Sequence, residues 1–253
     1  MKNFFLSLLV LVTTSLFAQT GTYYVAIKSG LSIRDKPDVS GKVIDKIPYG
    51  TKITTIAEDA DPRPINTEGL FGFWRKVKYN NKTGYIVDSY LFAWAPPKAT
   101  VKDMKGYLTQ SSLPFGAKLS VKSGSMNNVE EGGWEIIKQL YKNGAEWHQF
   151  LGYEYGSNTW FLPDFDMQQG FLLLRLIPEF KEVFGEKDLF PMENKTFKKG
   201  ENEYSVKVEK EDLGGGYRNL VTRIKIEWAD GALYFFEMYM IDNQLVVFLG
   251  SGV

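Results

Sequence analysis

His148 is the only histidine in the chain, and cysteine is absent altogether. Those two facts bound the chemistry before any element is placed. Without a thiol there is neither a cysteine nucleophile nor a disulfide, and a lipid anchor on cysteine is excluded as well. A catalytic zinc needs several His or carboxylate ligands, which one histidine does not supply. A Ser-His-Asp relay would have to use His148. That residue lies in Glu146-Trp147-His148-Gln149-Phe150, an aromatic, strand-like run with no nucleophile motif. A hydrogen-bonded structural histidine is therefore the better reading. Carboxylates remain, because glycoside cleavage needs only a pair of them. The candidates are Glu130, Glu131, Glu135, Glu154, Asp164 and Asp166. Asp166 is sufficiently explained as a helix cap, and Glu131, near another expected helix start, falls under the same caution.

Two further patterns imitate ligand sites. Pro163-Asp164-Phe165-Asp166 opens like a calcium loop, but Gln169 stands where the loop needs glycine and Arg175 where it needs a bidentate glutamate. Gly214-Gly215-Gly216 has no phosphate-binding lysine after it and precedes a strand, so it reads as a flexible turn. The sequence assigns no catalytic residue, no metal and no cofactor.

The elements that would position any site are mostly strands. Tyr23–Ile27, Leu31–Arg34, Val43–Ile47 and Lys52–Ile56 are short β runs separated by Gly, Pro and Asp turns. A polar loop is expected from Glu58 to Gly69, before Phe71-Gly72-Phe73-Trp74. In WRKVKYNNKTGYIVDSYL, residues 74–91, an alternating strand meets Asn80-Asn81-Lys82-Thr83-Gly84, residues that tolerate positive φ, and returns through Tyr85-Ile86-Val87. Five or six strands at this spacing make a small barrel.

The order LSIRDKPDVSGKVIDKIPYGTKITTIAED, a loop, then WRKVKYNNKTGYIVDSYL resembles the bacterial SH3-like (SH3b) domain over residues 22–94. The family's usual text has a Leu-Asn-Val-Arg-Ser-Gly-Pro run, a Gly-Thr turn, a Trp-x-Lys-Val strand, a Gly-Tyr hairpin and a Ser-Tyr-Leu end. This chain departs at Asp35-Lys36 and in the longer segment from Glu58 to Phe73. The resemblance implies binding of peptidoglycan or an envelope protein. It implies a groove whose contacts are Trp74, Tyr85 and Tyr90 with Phe71 and Phe73, and Arg34 and Asp35 at the edge. The plainer alternative is that these aromatics fill the barrel core, or that the barrel packs on its neighbour and binds nothing. Proline-rich peptide binding is unsupported, because Val87-Asp88-Ser89-Tyr90 lacks the proline of eukaryotic SH3 domains. Exported SH3b modules are commonly joined to Cys-His peptidases or zinc amidases, and neither chemistry is available here.

The chain of 253 residues has room for a second domain. Residues 1–18 have the form of a secretory signal peptide: Lys2, an apolar run from Phe4 to Val12, and Ala18 at the cleavage position. Its removal takes the 30 basic residues to 29 against 30 acidic ones, too balanced for a nucleic-acid partner. With no further run long enough to span a bilayer, the expected location is the periplasm or the exterior. Ala95-Pro96-Pro97-Lys98-Ala99-Thr100 reads as a linker. Residues 101–253 read as an α+β domain, so that the expected fold is mainly β: an SH3-like barrel, then an α+β domain ending in an antiparallel meander. In that domain Trp134–Tyr141 is expected as a helix closed by Asn143-Gly144, with strand-like runs at Trp147–Glu154 and Thr159–Leu162. Asp166–Ile177 is expected as a helix with an Asp166/Gln169 capping box, and Pro178–Phe184 as a second one. Leu220–Trp228, Leu233–Ile241 and Leu245–Leu249 form the meander. The favoured reading is an exported non-enzymatic binding or adaptor protein. A wall glycan hydrolase or lyase using carboxylates of residues 101–253 is the alternative.

Overall fold

The computed structural model of the chain describes residues 21–56, 63–125, 132–212 and 220–253. The expected leader at residues 1–18, Glu130, Glu131 and Gly214-Gly215-Gly216 lie outside the described residues, as does the start of the loop at Glu58.

The first part of the chain builds two small antiparallel sheets. Strands β1 (Thr22–Val25), β4 (Lys52–Thr54) and β8 (Leu91–Phe92) make one, in the order β4-β1-β8. Strands β2 (Leu31–Arg34), β3 (Val43–Ile47), β5 (Pro64–Thr67), β6 (Leu70–Tyr79) and β7 (Lys82–Val87) make the other, in the order β3-β2-β7-β6-β5. Val25, Ile33, Ile47, Leu70, Val77, Ile86 and Phe92 fill the space between them, the alternate positions of short strands. The β6–β7 turn is tighter than the sequence suggested. Only Asn80 (φ 48°) and Asn81 (φ 60°) are left-handed, the signature of a two-residue type I′ turn, and pairing resumes at Lys82. Gly84 is in the strand because a β-carbon there would lie 2.5 Å from the Arg34 carbonyl oxygen. The expected polar loop up to Gly69 is also corrected: Pro64–Thr67 pairs with β6 through a Glu68-Gly69 turn, both residues at positive φ.

The second part is a nine-stranded antiparallel sheet among the described residues, in the order β13-β14-β15-β16-β17-β12-β11-β10-β9. Strands β9 (Pro114–Ser123), β10 (Trp134–Tyr141), β11 (Glu146–Gly152) and β12 (Tyr155–Pro163) form one meander. Strands β13 (Lys195–Lys199), β14 (Asn202–Glu211), β15 (Leu220–Ala229), β16 (Leu233–Ile241) and β17 (Gln244–Gly252) form another. Pairing of β12 with β17 over Tyr155–Pro163 and Gln244–Gly252 fuses the two. The expected helix at Trp134–Tyr141 is strand β10. Its β-branched Ile136 and Ile137 suit a pleated strand, and it is hydrogen-bonded on both sides, to β9 and β11. The Gly144 signal was real but served a hairpin: Gly144 has φ 84° and its N–H donates to the Tyr141 carbonyl.

Two helices lie on one face of this sheet. Helix α1 (Met104–Ser111) sets Lys105 over the Trp147 ring. Helix α2 (Met167–Leu176) lies on β15 and β16, with the expected capping box present: Asp166 Oδ1 accepts from Gln169 N–H at 2.8 Å, and Gln169 Oε1 accepts from Asp166 N–H at 3.1 Å. The expected second helix shortens to one 3-10 turn, Pro178–Phe180, followed by turns. Residues 95–100 are no open tether: Pro96 and Pro97 are buried, and the Tyr49 hydroxyl donates to the Pro97 carbonyl at 2.7 Å. The molecule therefore has three layers: the two small sheets, helix α2 with its flanking segments, and the large sheet.

Candidate functional site

The cleft worth building lies where the first layer meets the start of α2. Its volume is about 340 Å³, and its walls include Phe71, Phe73, Arg75, Asp88, Ser89 and Gln168. Strand β6 supplies the floor. Phe71 and Phe73 project from alternate positions, so they share a side, and their rings meet edge-on at 5.2 Å. Phe71 keeps 38% of its surface exposed, while Phe73 is half-buried under the Arg75 guanidinium, 5.6 Å from the ring centre. Gly72 separates the rings of necessity: a β-carbon there would fall 2.6 Å from Asp88 Oδ1.

Asp88 is held from two directions. Its Oδ1 accepts from Phe73 N–H at 2.7 Å, and its Oδ2 accepts from Arg75 Nε at 2.9 Å. Beside it Ser89 is only 9% exposed, and its Oγ has no hydrogen-bond partner, an uncommon state for a buried hydroxyl. The opposite wall is the first turn of α2. The Gln168 side chain reads the backbone of Phe71 as a neighbouring strand would: Oε1 accepts from Phe71 N–H at 2.5 Å, and Nε2 donates to Phe71 O at 3.1 Å. Gln169 Nε2 donates to Leu91 O at 3.0 Å. Asp166 is exposed at the mouth yet ringed by the cleft walls. Desolvation there pushes its carboxyl up from the usual range, against the pull of the Gln169 and Gln168 N–H groups.

A second cavity of about 210 Å³ lies between Ala26–Ser29 and the far end of α2. Ion pairs close it: Arg175 to Glu68 at 3.3 Å and Lys28 to Glu186 at 3.3 Å. Tyr90 borders it with 5% of its surface exposed, and burial pushes its phenol up to about 12.

The residues expected to form one groove are distributed. Phe71 and Phe73 share the first cleft, and Tyr90 borders the second cavity. Trp74, 5% exposed, belongs to the core. Arg34, Asp35 and Tyr85 lie beyond both: Arg34 Nη1 donates to Gly41 O at 2.6 Å, Asp35 Oδ1 accepts from Lys42 N–H at 2.9 Å, and Tyr85 is half-buried with Lys76 Nζ 5.8 Å from its ring centre. The sequence missed Arg75, Ser89, Gln168 and Gln169. Their signal was faint, since an arginine beside a tryptophan and paired glutamines inside a cap box have ordinary structural uses.

The remaining candidates occupy structural positions. His148 shares a hydrogen bond with Glu146 Oε2 at 2.8 Å. Glu135 accepts from Ser120 Oγ at 2.5 Å, Glu154 sits at positive φ in a turn, and Asp164 accepts from Trp94 Nε1 at 3.4 Å. Among the described residues no three His, Asp or Glu side chains gather so as to hold a metal ion, and no helix is long and apolar enough to cross a membrane.

Residues 29–92 match the family described as bacterial SH3 domain. The match runs from just before β2 to the end of β8, so the first layer carries a bacterial SH3 domain, as its residue order had suggested. No curated protein and no solved structure matches the chain significantly.

Proposed function

We propose that the protein is an exported, non-enzymatic binding or adaptor protein of the bacterial cell envelope, and that its SH3 domain takes peptidoglycan or an envelope protein in the Phe71–Phe73–Arg75 cleft. The observation that carries this reading is the aromatic pair, Phe71 exposed and Phe73 half-buried, set beside the Arg75 guanidinium in one cleft. Such a cleft offers an apolar floor with a few convergent polar groups, the usual make-up of a recognition site. Arg75 would meet a carboxylate of the ligand, and the rings would cover an aliphatic segment. The leader-like residues 1–18 support export. Trp74, Tyr85, Tyr90, Arg34 and Asp35 then shape the domain around that cleft.

Co-sedimentation of the chain with purified sacculi tests the reading. The parent is expected in the pellet, and Phe71→Ala and Arg75→Ala are each expected to weaken retention about tenfold, the loss of ~1.4 kcal/mol typical of a charge-assisted or ring contact. If the parent stays in the supernatant, and envelope extracts yield no protein whose capture depends on Arg75, the reading is wrong.

One observation favours a second reading, the glycan hydrolase. Two carboxylates, Asp88 and Asp166, line the same cleft; one is paired with Arg75 and the other has its pKa raised, the division of roles that glycoside cleavage uses. Release of soluble fragments in the same tubes, abolished by Asp88→Asn, would establish it. Asp166→Asn separates chemistry from folding, because asparagine also caps helices.

A further inference from the structure

The nine-stranded sheet has two faces, and both helices occupy one of them. Register assigns the other. Across the middle of that uncovered face run Ile136, Phe150, Ser157, Gly250 and Phe235, each directly opposite the next. The row beside it runs Lys138, His148, Thr159, Phe248 and Glu237. Aromatic side chains on a solvent-facing sheet would normally stand among other large residues. Here they lean over glycines instead. A β-carbon on Gly250 would fall 2.9 Å from the tip of the Phe248 ring, and one on Gly152 would fall 3.0 Å from the Phe150 ring. At the end of the face, a β-carbon on Gly252 would fall 3.2 Å from the Tyr155 ring. Phe150 and Tyr155 are themselves 5.6 Å apart. The glycines let the rings lie low, and the result is a shallow aromatic bed with Phe150, Phe248 and Phe235 half-buried and Tyr155 38% exposed.

Charge on this face is matched. Lys138 pairs with Glu146 at 2.9 Å, and Arg223 and Lys225 pair with Glu237 and Glu209 at 3.1 to 3.9 Å. The ion-paired groups therefore leave no net field to attract a polyanion or a polycation. They do leave half-exposed carboxylates, ammonium groups and the His148 imidazole beside the rings, all able to hydrogen-bond hydroxyls.

We infer that the uncovered face of the nine-stranded sheet binds a neutral glycan chain, with Phe150, Phe248 and Tyr155 as the stacking bed. A pyranose ring has an apolar face of C–H groups and a rim of hydroxyls, which is what a low aromatic bed flanked by neutralised ion pairs complements. A second copy of this chain fits less well: face-to-face packing would strip water from ion pairs and return no new partner for them. The site is separate from the cleft of the SH3 domain and does not depend on what that cleft takes.

The test is isothermal titration of the whole chain with two neutral probes, the β-1,4-linked hexamer of N-acetylglucosamine and a β-linked glucose hexamer. At least one is expected to bind, and Tyr155→Ala and Phe248→Leu are each expected to weaken it by about tenfold. Phe248→Leu keeps apolar volume over Gly250 while removing the ring, so it guards against loss of fold, which a thermal melt of each variant checks. The inference is overturned if neither hexamer binds, or if folded Tyr155→Ala and Phe248→Leu bind as the parent does. It is equally overturned if the parent is a dimer in solution that these substitutions dissociate.

Discussion

Helix α2 is held from both sides, and the two sides differ in kind. Toward the large sheet it is apolar and close: Gly170 has no room for a β-carbon against Leu245 and Met238, and Phe171, Leu173 and Leu174 are fully buried. Toward the SH3 domain it works through directed bonds: the Gln168 fork to Phe71, Gln169 to Leu91, and Arg175 to Glu68. Apolar contact on that second side is the seam in which Phe165 meets Phe92 at 5.4 Å and Trp94 at 5.0 Å, together with Leu172 and Leu176, which border the second cavity opposite Ala26, Ile27 and Tyr90. Stability and registration therefore have different sources in this helix. Apolar burial is strong and non-directional, whereas each hydrogen bond nets only about 0.5–1.5 kcal/mol but fixes position. By this reasoning the helix belongs energetically to the sheet, and the SH3 domain is aligned upon it.

The largest effect should come from the apolar side. Phe171 is fully buried and meets Phe184 at 5.0 Å and Phe190 at 5.5 Å. Phe171→Ala is expected to cost about 3–5 kcal/mol in denaturant unfolding, because truncation leaves a cavity. A cost below ~1 kcal/mol would dissolve the distinction between the two sides.

Gln168→Ala should act differently. It removes both bonds to the Phe71 backbone and is expected to cost about 1–2 kcal/mol. Its specific mark should be faster amide exchange at Phe71 and weaker ligand retention by the cleft, with the large sheet's amides unchanged. Protection lost uniformly across the sheet would show that the helix is not divided as described.

A smaller, pH-dependent effect sharpens the same contrast at the other helix. Glu179 Oε2 accepts from Met104 N–H at 2.7 Å, and burial raises its pKa above 4.5, with Asp103 adding to the rise. The folded state then holds the proton more tightly than the unfolded state does. This contribution to stability is fully present below the unfolded value and is lost as pH rises through the folded one. Glu179→Gln keeps an acceptor for Met104, so melts at pH 4 and pH 7 should show the variant gaining on the parent at the higher pH. A gain at the lower pH instead would contradict the burial argument.

The SH3 domain was legible because its information is local. Asn80-Asn81, Gly84 and the Trp74–Lys78 alternation each name a turn or strand within a few residues. The large sheet carried less local signal. Its β15–β17 meander was readable from strict alternation and the Asp230-Gly231 turn. Strand β10 was misread, since Trp134–Tyr141 carries apolar residues at spacings that also suit a helix, and only pairing with β9 and β11 decides it. Strand β9, exposed along its whole length, has no buried face to announce it. The cleft was half legible. Phe71 and Phe73 stood out as aromatics, but Gln168 reaches Phe71 across 97 positions of chain, a meeting no local pattern encodes.

Strand β17 follows every other described strand, yet it lies between β12 and β16, where it completes both meanders. On the ribosome the two halves of the sheet could each begin to zip, but neither could find its inner neighbour until residues 244–252 had been made. Such a delayed closure lengthens the time the chain spends open, and under the export proposed above it would leave the polypeptide unfolded while it is threaded across a membrane.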